Sequence, residues 1–132
     1  MKNKTITDYM TASPHSIGYD QPLVHAHQIM RDHHIRHLPV LNGGRLVGIL
    51  SDRDLAFIEN LRDVDAAKVR VDEAMTPTPY CVNKNARLGQ VAREMSEHRY
   101  GSAVVMENEH VIGVFTTVDA LRALADACDG KS

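Results

Sequence analysis

The chain repeats itself after 65 residues, and this repeat restricts its fold more than any other feature. Met75 minus Met10 and Asp119 minus Asp54 give the same offset, so two copies align without a gap. "YMTASPHSI" faces "AMTPTPYCV", and "RLVGILSDRDL" faces "HVIGVFTTVDA". A duplicated supersecondary unit explains these matches. Because one unit of about 50 residues buries too little surface to be stable alone, we expect the two copies to pack sheet against sheet.

Two helical patterns recur within the copies. Apolar residues follow the spacing of one helix face at Leu23, Ala26 and Met30 in the first copy and at Leu88, Val91, Ala92 and Met95 in the second. A further stripe of the same spacing follows Asp119 directly, at Leu121, Leu124, Ala125 and Cys128. The pattern therefore predicts one helix inside each copy and one helix at its end.

Short apolar runs predict the strands. "HLPVL" and "RLVGIL" flank Asn42-Gly43-Gly44, whose glycines tolerate the positive φ of a tight hairpin. In the second copy "SAVVM" and "VIGVF" flank "ENEH", a poorer turn sequence that predicts a longer or differently shaped loop. With a short extended segment near Ile17 or Val82, each copy has the order β-α-β-β-α, and the fold class is mixed α/β (α+β).

Composition excludes several classes of protein. With 43% hydrophobic and 24% charged residues and a formal net charge of -2, the chain is typical of a soluble globular protein. It has no apolar run of membrane-spanning length and no apolar segment behind the amino-terminal lysines, so we expect a cytoplasmic protein without a membrane partner. Fifteen basic and seventeen acidic residues are scattered along the chain, which argues against a nucleic-acid partner.

The sequence offers little for metal binding or catalysis. Cys81 and Cys128 are too few and too isolated for a disulfide framework or a zinc site. Eight histidines are present, but His33 and His37 are expected on either side of a helix end, and we predict no metal site. "NGGR" lacks the spacing and lysine of a phosphate-binding loop, and no nucleophile has both a base and an orienting partner. We therefore predict no enzyme activity and no required cofactor.

A hydroxyl followed three residues later by a carboxylate closes an apolar strand in each copy. The pairs are Ser51 with Asp54 and Thr116 with Asp119. This spacing before a helix is an ordinary capping pattern, and on spacing alone capping is favoured. The same groups also suit a nucleoside, because a carboxylate accepts hydrogen bonds from both ribose hydroxyls and a helix amino terminus attracts anions. Both explanations stay open at this point.

The motifs resemble a known family. "MTASP" and "MTPTP", "HHIRHLPV" and "GILSDRDL" closely resemble a tandem pair of CBS domains, named after cystathionine β-synthase and called a Bateman module. The likeness extends from about Ile6 to about Leu124 and suggests a first repeat at residues 1–62, a linker at 63–70 and a second repeat at 71–128. The family implies two repeats related by pseudo-two-fold symmetry.

The resemblance also implies a function. It suggests a stand-alone regulatory sensor that binds AMP, ADP, ATP or S-adenosylmethionine in clefts between the repeats, forms a flat homodimer and signals to an unidentified regulated protein. The alternative is a ligand-independent dimerisation or protein-interaction module whose clefts are vestigial.

Matching positions to the family implies two unequal sites, each with residues from both repeats. The first contains Thr116, Asp119, His15, Ile17, Ile35, Arg36 and His37. The second contains Ser51, Asp54, Tyr80, Val82, Tyr100, Gly101 and Ser102, with Arg53 or Arg99 as a phosphate contact. Since the second site has Gly-Ser where the first has Arg-His, the first suits a charged phosphate tail and the second a less charged adenosyl group. Tyr80 could stack on a base, or could equally be a half-buried strand aromatic.

Overall fold

The computed structural model describes residues 1–131, and the chain forms two compact units. The terminal unit combines Met1–Pro14 with the chain from Tyr80 onward, and the central unit is His15–Pro79. Each unit contains segments of both sequence repeats. The repeats are defined by similarity and the units by contacts, so the repeat boundaries stay a prediction.

Both units contain helices and strands. In chain order they are the 3₁₀ helix Ile6–Asp8, β1 Thr11–Ala12, β2 Ile17–Gly18, α1 Leu23–His33, β3 His37–Asn42, β4 Arg45–Ser51, α2 Asp52–Glu59, α3 Val71–Ala74, β5 Thr76–Pro77, β6 Cys81–Asn83, α4 Leu88–His98, β7 Ser102–Glu107, β8 His110–Thr116 and α5 Thr117–Cys128. The predicted mixed α/β class is confirmed. The pattern missed the short strands β1 and β5 and the helical turns that precede them.

Helices α1 and α4 confirm the predicted helical stripes. Each has 11 residues and is followed by a capping residue in the left-handed region, His34 at φ 54° and Arg99 at φ 59°. Their buried faces are the predicted ones, Leu23, Ala26 and Met30 in α1 and Leu88, Val91 and Met95 in α4. Burial of such a face supplies most of the stability of a helix this short.

Helix α5 begins where the sequence predicted, but another face packs on the sheet. Leu121 and Leu124 of the predicted stripe are 64% and 59% exposed, whereas Ala123 is 8% exposed. The regular spacing identifies a helix, while the identity of the packed face depends on how α5 meets the sheet. Asp119, one turn before Ala123, lies on the same buried side.

Each unit contains one four-stranded sheet. The strand order is β2-β3-β4-β5 in the central unit and β1-β8-β7-β6 in the terminal unit. In both, a parallel pair, β2 with β3 or β6 with β7, adjoins an antiparallel hairpin. The two sheets therefore have the same topology, as a duplicated unit requires.

The outer strands β1 and β5 are exchanged between the repeats. β5, from the second "MT" motif, pairs with β4 and places Pro77 opposite Gly48. β1, from the first "MT" motif, pairs with β8 and places Ala12 opposite Gly113. Each repeat thus supplies an outer strand to the sheet that carries the other repeat's hairpin.

Two glycines permit this exchange. A Cβ at Gly48 would collide with the sulfur of Met75 and lie 2.9 Å from the carbonyl oxygen of Thr76. A Cβ at Gly113 would collide in the same way with the sulfur of Met10. At Gly48 a glycine is required, because a Cβ would lie too close to the backbone of the exchanged strand; at Gly113 the corresponding backbone oxygen, that of Thr11, is 3.1 Å away and the Met10 side chain would have to move.

The two hairpins have the same turn, which corrects one expectation. Gly43 and Gly44 join β3 to β4 with φ of 57° and 83°, as predicted. Asn108 and Glu109 join β7 to β8 with φ of 50° and 67°, so the second loop is also a two-residue turn and the prediction of a longer loop was wrong. The paired strands impose positive φ even on Glu109, which has no intrinsic preference for it.

Each unit has its own hydrophobic core. The central core consists of Ile17, Leu23, Ala26, Met30, Leu38, Val40, Leu50, Leu55 and Val71. The terminal core consists of Ile6, Tyr9, Leu88, Val91, Met95, Ala103, Val105, Phe115 and Ala123. Val71 and Ile6, both fully buried, come from the segments next to the exchanged strands and attach those segments to their unit.

Candidate functional site

Asp54 completes a capping box at the start of α2. Its Oδ2 accepts hydrogen bonds from the backbone N–H of Ser51 at 2.8 Å and from the Ser51 hydroxyl at 2.9 Å. The backbone N–H of Asp54 donates to Ser51 Oγ at 3.2 Å. The capping explanation is therefore correct for this pair, and it uses one carboxylate oxygen while leaving Oδ1 outside the box.

Asp119 repeats the box at the start of α5. Its Oδ2 accepts from the backbone N–H of Thr116 at 2.9 Å and from the Thr116 hydroxyl at 3.2 Å. Its Oδ1 lies 3.5 Å from Arg122 Nη2. Asp119 is only 6% exposed, so the two carboxylates share a box but differ in their surroundings.

A basic segment lies beside the Asp54 box within the central unit. His37 stands opposite Ser51 in the β3–β4 ladder, and the backbone N–H of Asp52 donates to the Arg36 carbonyl at 2.9 Å. The Arg36 side chain is exposed, and Ile35 packs half-buried against the core. Arg53 is exposed on the first turn of α2.

The surroundings of His37 favour the neutral form of its imidazole. Burial lowers the pKa of His37, while the nearby carboxylates of Asp52 and Asp54 oppose that shift and the guanidinium groups of Arg36 and Arg53 add to it. At neutral pH this imidazole therefore acts as a hydrogen-bonding group rather than as a cation. Any phosphate near this segment would find its positive charge on the arginines.

An uncharged segment lies beside the Asp119 box in the terminal unit. Ser102 stands opposite Thr116 in the β7–β8 ladder, and the backbone N–H of Thr117 donates to the Gly101 carbonyl at 3.3 Å. Ser102 is 8% exposed. Within each unit, the segment at the start of the hairpin and the capping box therefore lie together.

The predicted sites combine these pieces across the repeats. They join Arg36 and His37 to Asp119, and Tyr100 and Gly101 to Asp54. These groupings stay a prediction.

Three aromatic rings are stacked in the terminal unit. The ring centroids of Tyr80 and Tyr100 are 5.0 Å apart at an interplanar angle of 29°, and those of Tyr100 and His98 are 5.1 Å apart at 16°. Burial raises the pKa of Tyr80, with smaller contributions from Glu94 and Tyr100. Tyr100 is 39% exposed, so this aromatic stack offers a planar apolar surface to solvent. Val82 is half-buried and packs against the terminal core.

The equivalent region of the central unit carries histidines. His15 and His33 stack with ring centroids 3.8 Å apart and an interplanar angle of 20°. Ile17, assigned to the first predicted site, is 4% exposed and belongs to the central core.

Sequence reasoning missed several neighbours of the predicted site residues. Arg122 could have been found, because it follows Asp119 by three residues on a helix, a spacing at which opposite charges meet. Tyr9, whose carbonyl accepts a hydrogen bond from Arg122 at 2.8 Å, gave no such signal because it is 113 residues away in the chain.

Metal-ligating clusters and membrane-spanning helices are absent from the described chain, residues 1–131. No three His, Cys, Asp or Glu side chains cluster there in a way that could hold a metal ion. None of the helices in that range combines the length and apolarity needed to cross a bilayer.

Comparison with known proteins gives relatives of similar length. Hypoxic response protein 1 of Mycobacterium tuberculosis is 29% identical over 123 residues, covering 92% of this chain and 86% of that protein. A crystal structure of Hypoxic Response Protein I with two coordinated zinc ions has a TM-score of 0.77 at 28% identity, covering 90% of this chain and 98% of that chain.

Two further crystal structures match closely in fold. That of CBSX2 in complex with AMP has a TM-score of 0.79 at 26% identity, covering 93% of this chain and 97% of that chain. That of an uncharacterized conserved protein from Pyrococcus horikoshii has a TM-score of 0.81 at 26% identity, covering 94% of both chains.

The family model named CBS domain matches the chain twice, at residues 6–59 and 71–126. The two matches cover both copies of the repeat, and they confirm the resemblance noted in the sequence. The chain therefore belongs to the CBS domain family and carries two copies of the domain in tandem.

Proposed function

We propose that the chain is a regulatory module of the cytoplasm, without catalytic activity, that binds an adenosine-containing ligand in clefts combining both repeats. AMP, ADP, ATP and S-adenosylmethionine are the candidate ligands, and the bound state alters contact with a regulated protein partner.

The observation that carries this proposal is the form of the duplicated carboxylate. In each repeat an aspartate uses Oδ2 for its capping box and keeps Oδ1 outside it, and at Asp119 that Oδ1 lies 3.5 Å from Arg122 Nη2. A carboxylate held in this way is oriented before a ligand arrives, and an Oδ1 that is not paired with a guanidinium can accept charge-assisted hydrogen bonds from a ribose diol. The AMP complex of the relative CBSX2 supports an adenine nucleotide as the ligand class.

The basic segment is the expected contact for the phosphate groups of a nucleotide. Arg36 is exposed, and its planar guanidinium suits phosphate oxygens. Since the pKa of His37 is lowered, its contribution to phosphate binding is expected to grow only under acidic conditions.

Thermal unfolding of the full chain with each candidate ligand tests the proposal. A ligand that binds only the folded state at about 100 times its Kd adds about 2.7 kcal/mol to the free energy of unfolding, which raises Tm. As a control, 2′,3′-dideoxyadenosine lacks the ribose diol and should raise Tm less than adenosine. The absence of a shift with all four candidates at millimolar concentration would contradict the proposal.

A ligand-independent dimerisation module is the second candidate, and an apolar row on α5 favours it. Val118, Leu121 and Leu124 are 61%, 64% and 59% exposed, whereas the equivalent positions of α2 carry Arg53, Ala56 and Glu59. Because the fold does not need apolar residues at these positions, a second copy of the chain, which presents the same row, is the proposed occupant. Under this candidate, light scattering would give a dimer mass unchanged by AMP, and Leu121→Glu would give a monomer.

A further inference from the structure

The two capping carboxylates differ in what faces their second oxygen. In the terminal unit Arg122 Nη2 is 3.5 Å from Oδ1 of Asp119, a side chain that is almost fully buried. The residue equivalent to Arg122 in the central unit is Phe57, which is uncharged and 67% exposed. Across residues 1–131, the structure pairs no guanidinium with Asp54.

Arg122 is itself anchored by an arrangement that we call the Arg122 clamp, formed by Asp119, Arg122, Tyr9 and Asp126. Arg122 donates to the Tyr9 carbonyl at 2.8 Å and its guanidinium carbon lies 5.5 Å from the Tyr9 ring centroid. The Tyr9 hydroxyl donates to Asp126 Oδ2 at 2.6 Å. A guanidinium fixed in this way loses little further entropy when it pairs with a carboxylate.

The central unit lacks every part of this clamp apart from its carboxylate. The positions equivalent to Tyr9, Arg122 and Asp126 are occupied there by Ala74, Phe57 and Leu61. The difference therefore follows from the sequence of each repeat and does not depend on the rotamer of one side chain.

To bind either carboxylate, a ribose diol would have to replace the group that already contacts its Oδ1, and this group differs between Asp119 and Asp54. At Asp119 its hydroxyls would have to displace a guanidinium that lies 3.5 Å from Oδ1, although this pair is partly screened because the Arg122 side chain is 57% exposed. At Asp54, which is only partly buried, they would displace solvent. The exchange is more favourable at Asp54.

We infer that the two sites are not equivalent. The nucleoside binds at Asp54, and Arg122 is a positioning residue that pairs with Oδ1 of Asp119 and so prevents this carboxylate from binding a ligand. The inference rests on the proposed function and specifies it further. It implies that the full chain binds one adenosyl ligand.

Calorimetric titration of the full chain with adenosine and AMP tests this, using variants in which asparagine keeps one oxygen for the capping box. Asp54→Asn should weaken binding about tenfold or more, since a charge-assisted hydrogen bond is lost. Asp119→Asn should leave Kd within about twofold of the wild type. Urea unfolding of both variants reports any loss of the cap separately from loss of binding.

Adding a guanidinium near Asp54, or removing the one near Asp119, tests the role of Arg122 directly. Phe57→Arg places a guanidinium three residues after Asp54 and should weaken binding about tenfold, while Phe57→Gln, which removes the same ring without adding charge, should not. Arg122→Gln should raise the stoichiometry from one ligand to two per chain, and Arg122→Lys should keep it at one.

The outcomes separate this inference from the proposed function. If neither adenosine nor AMP binds the wild-type chain, the proposed function fails and the inference fails with it. If ligand binds but is lost in Asp119→Asn and retained in Asp54→Asn, or if the wild type already binds two ligands, only the inference is overturned. A stoichiometry that stays at one in Arg122→Gln would also overturn the role given to Arg122.

Discussion

His37 shows how its surroundings change the chemistry of a single residue in the candidate site. The sequence placed it among potential phosphate contacts, where it contributes charge only when protonated. His37 lies opposite Ser51 in the β3–β4 ladder, and burial is the largest cause of its lowered pKa. The charge of Asp54 only partly offsets that effect. His37 is therefore neutral under conditions where an exposed histidine would begin to protonate.

This residue should make stability depend on pH. The pKa of His37 in the folded chain lies below the ordinary value of 6.5 that applies after unfolding, so between the two values the unfolded chain binds more protons. Stability is therefore fully present above 6.5 and decreases as pH falls towards the folded-state pKa. We expect urea unfolding to show a smaller loss of stability in His37→Asn than in the wild type when pH is lowered from about 7.5 to about 5.5. His110→Asn, at an exposed histidine, is the matched control, and equal losses in all three proteins would contradict the prediction.

At the scale of elements, the two hairpins reach one geometry with different residues. Gly43-Gly44 accepts positive φ without cost, whereas Asn108-Glu109 places a glutamate at φ 67°. A left-handed conformation costs a residue with a Cβ about 1–2 kcal/mol. The second hairpin therefore holds a locally unfavourable residue that the pairing of β7 with β8 maintains.

Replacing that residue should stabilise the protein. Glu109→Gly relieves the left-handed conformation, and after allowance for the greater freedom of glycine in the unfolded chain we expect a gain of about 0.5–1 kcal/mol in the free energy of unfolding. The matched control is Gly44→Glu, which introduces the same conflict in the first hairpin and should destabilise by a similar amount. Urea denaturation measures both, and a loss of stability in Glu109→Gly would show that the turn is not strained.

At the scale of the whole molecule, the exchange of outer strands means that a sequence repeat and a compact unit contain different residues. The central unit needs β5 and Val71 from the second repeat to complete its sheet and core. The first repeat on its own, residues 1–62, lacks both and carries β1, whose partner strand β8 lies far along the chain.

The unfolding of two fragments should show that the compact unit, and not the sequence repeat, folds cooperatively. We expect residues 15–79, which contain a complete sheet and core cluster, to unfold cooperatively in urea, although with low stability because so small a domain buries limited surface. Residues 1–62, a fragment of similar length, should show no cooperative transition. Circular dichroism during urea titration makes the comparison, and cooperative unfolding of 1–62 with none in 15–79 would reverse the argument.

The sequence by itself determined the repeat, the helices α1, α4 and α5, the hairpin strands, the two capping boxes and the family. These features depend on neighbours close in the chain: apolar side chains at helical spacing, glycines at a turn, and a hydroxyl three residues before a carboxylate. The same local rules misjudged the second hairpin, because they weighed Asn108 and Glu109 without the strands that hold them.

Only the tertiary structure decided which segments complete each sheet, which face of α5 is buried and which carboxylate is paired. A two-residue strand such as β1 has no periodicity to detect, and the spacing of Leu121 and Leu124 identifies a helix without saying which side meets the sheet. Arg122 can be found near Asp119 from the sequence, but its anchor on Tyr9 depends on a contact across 113 residues. Such contacts form only when the whole core packs, because the free energy that maintains them comes from burial that no single segment achieves alone.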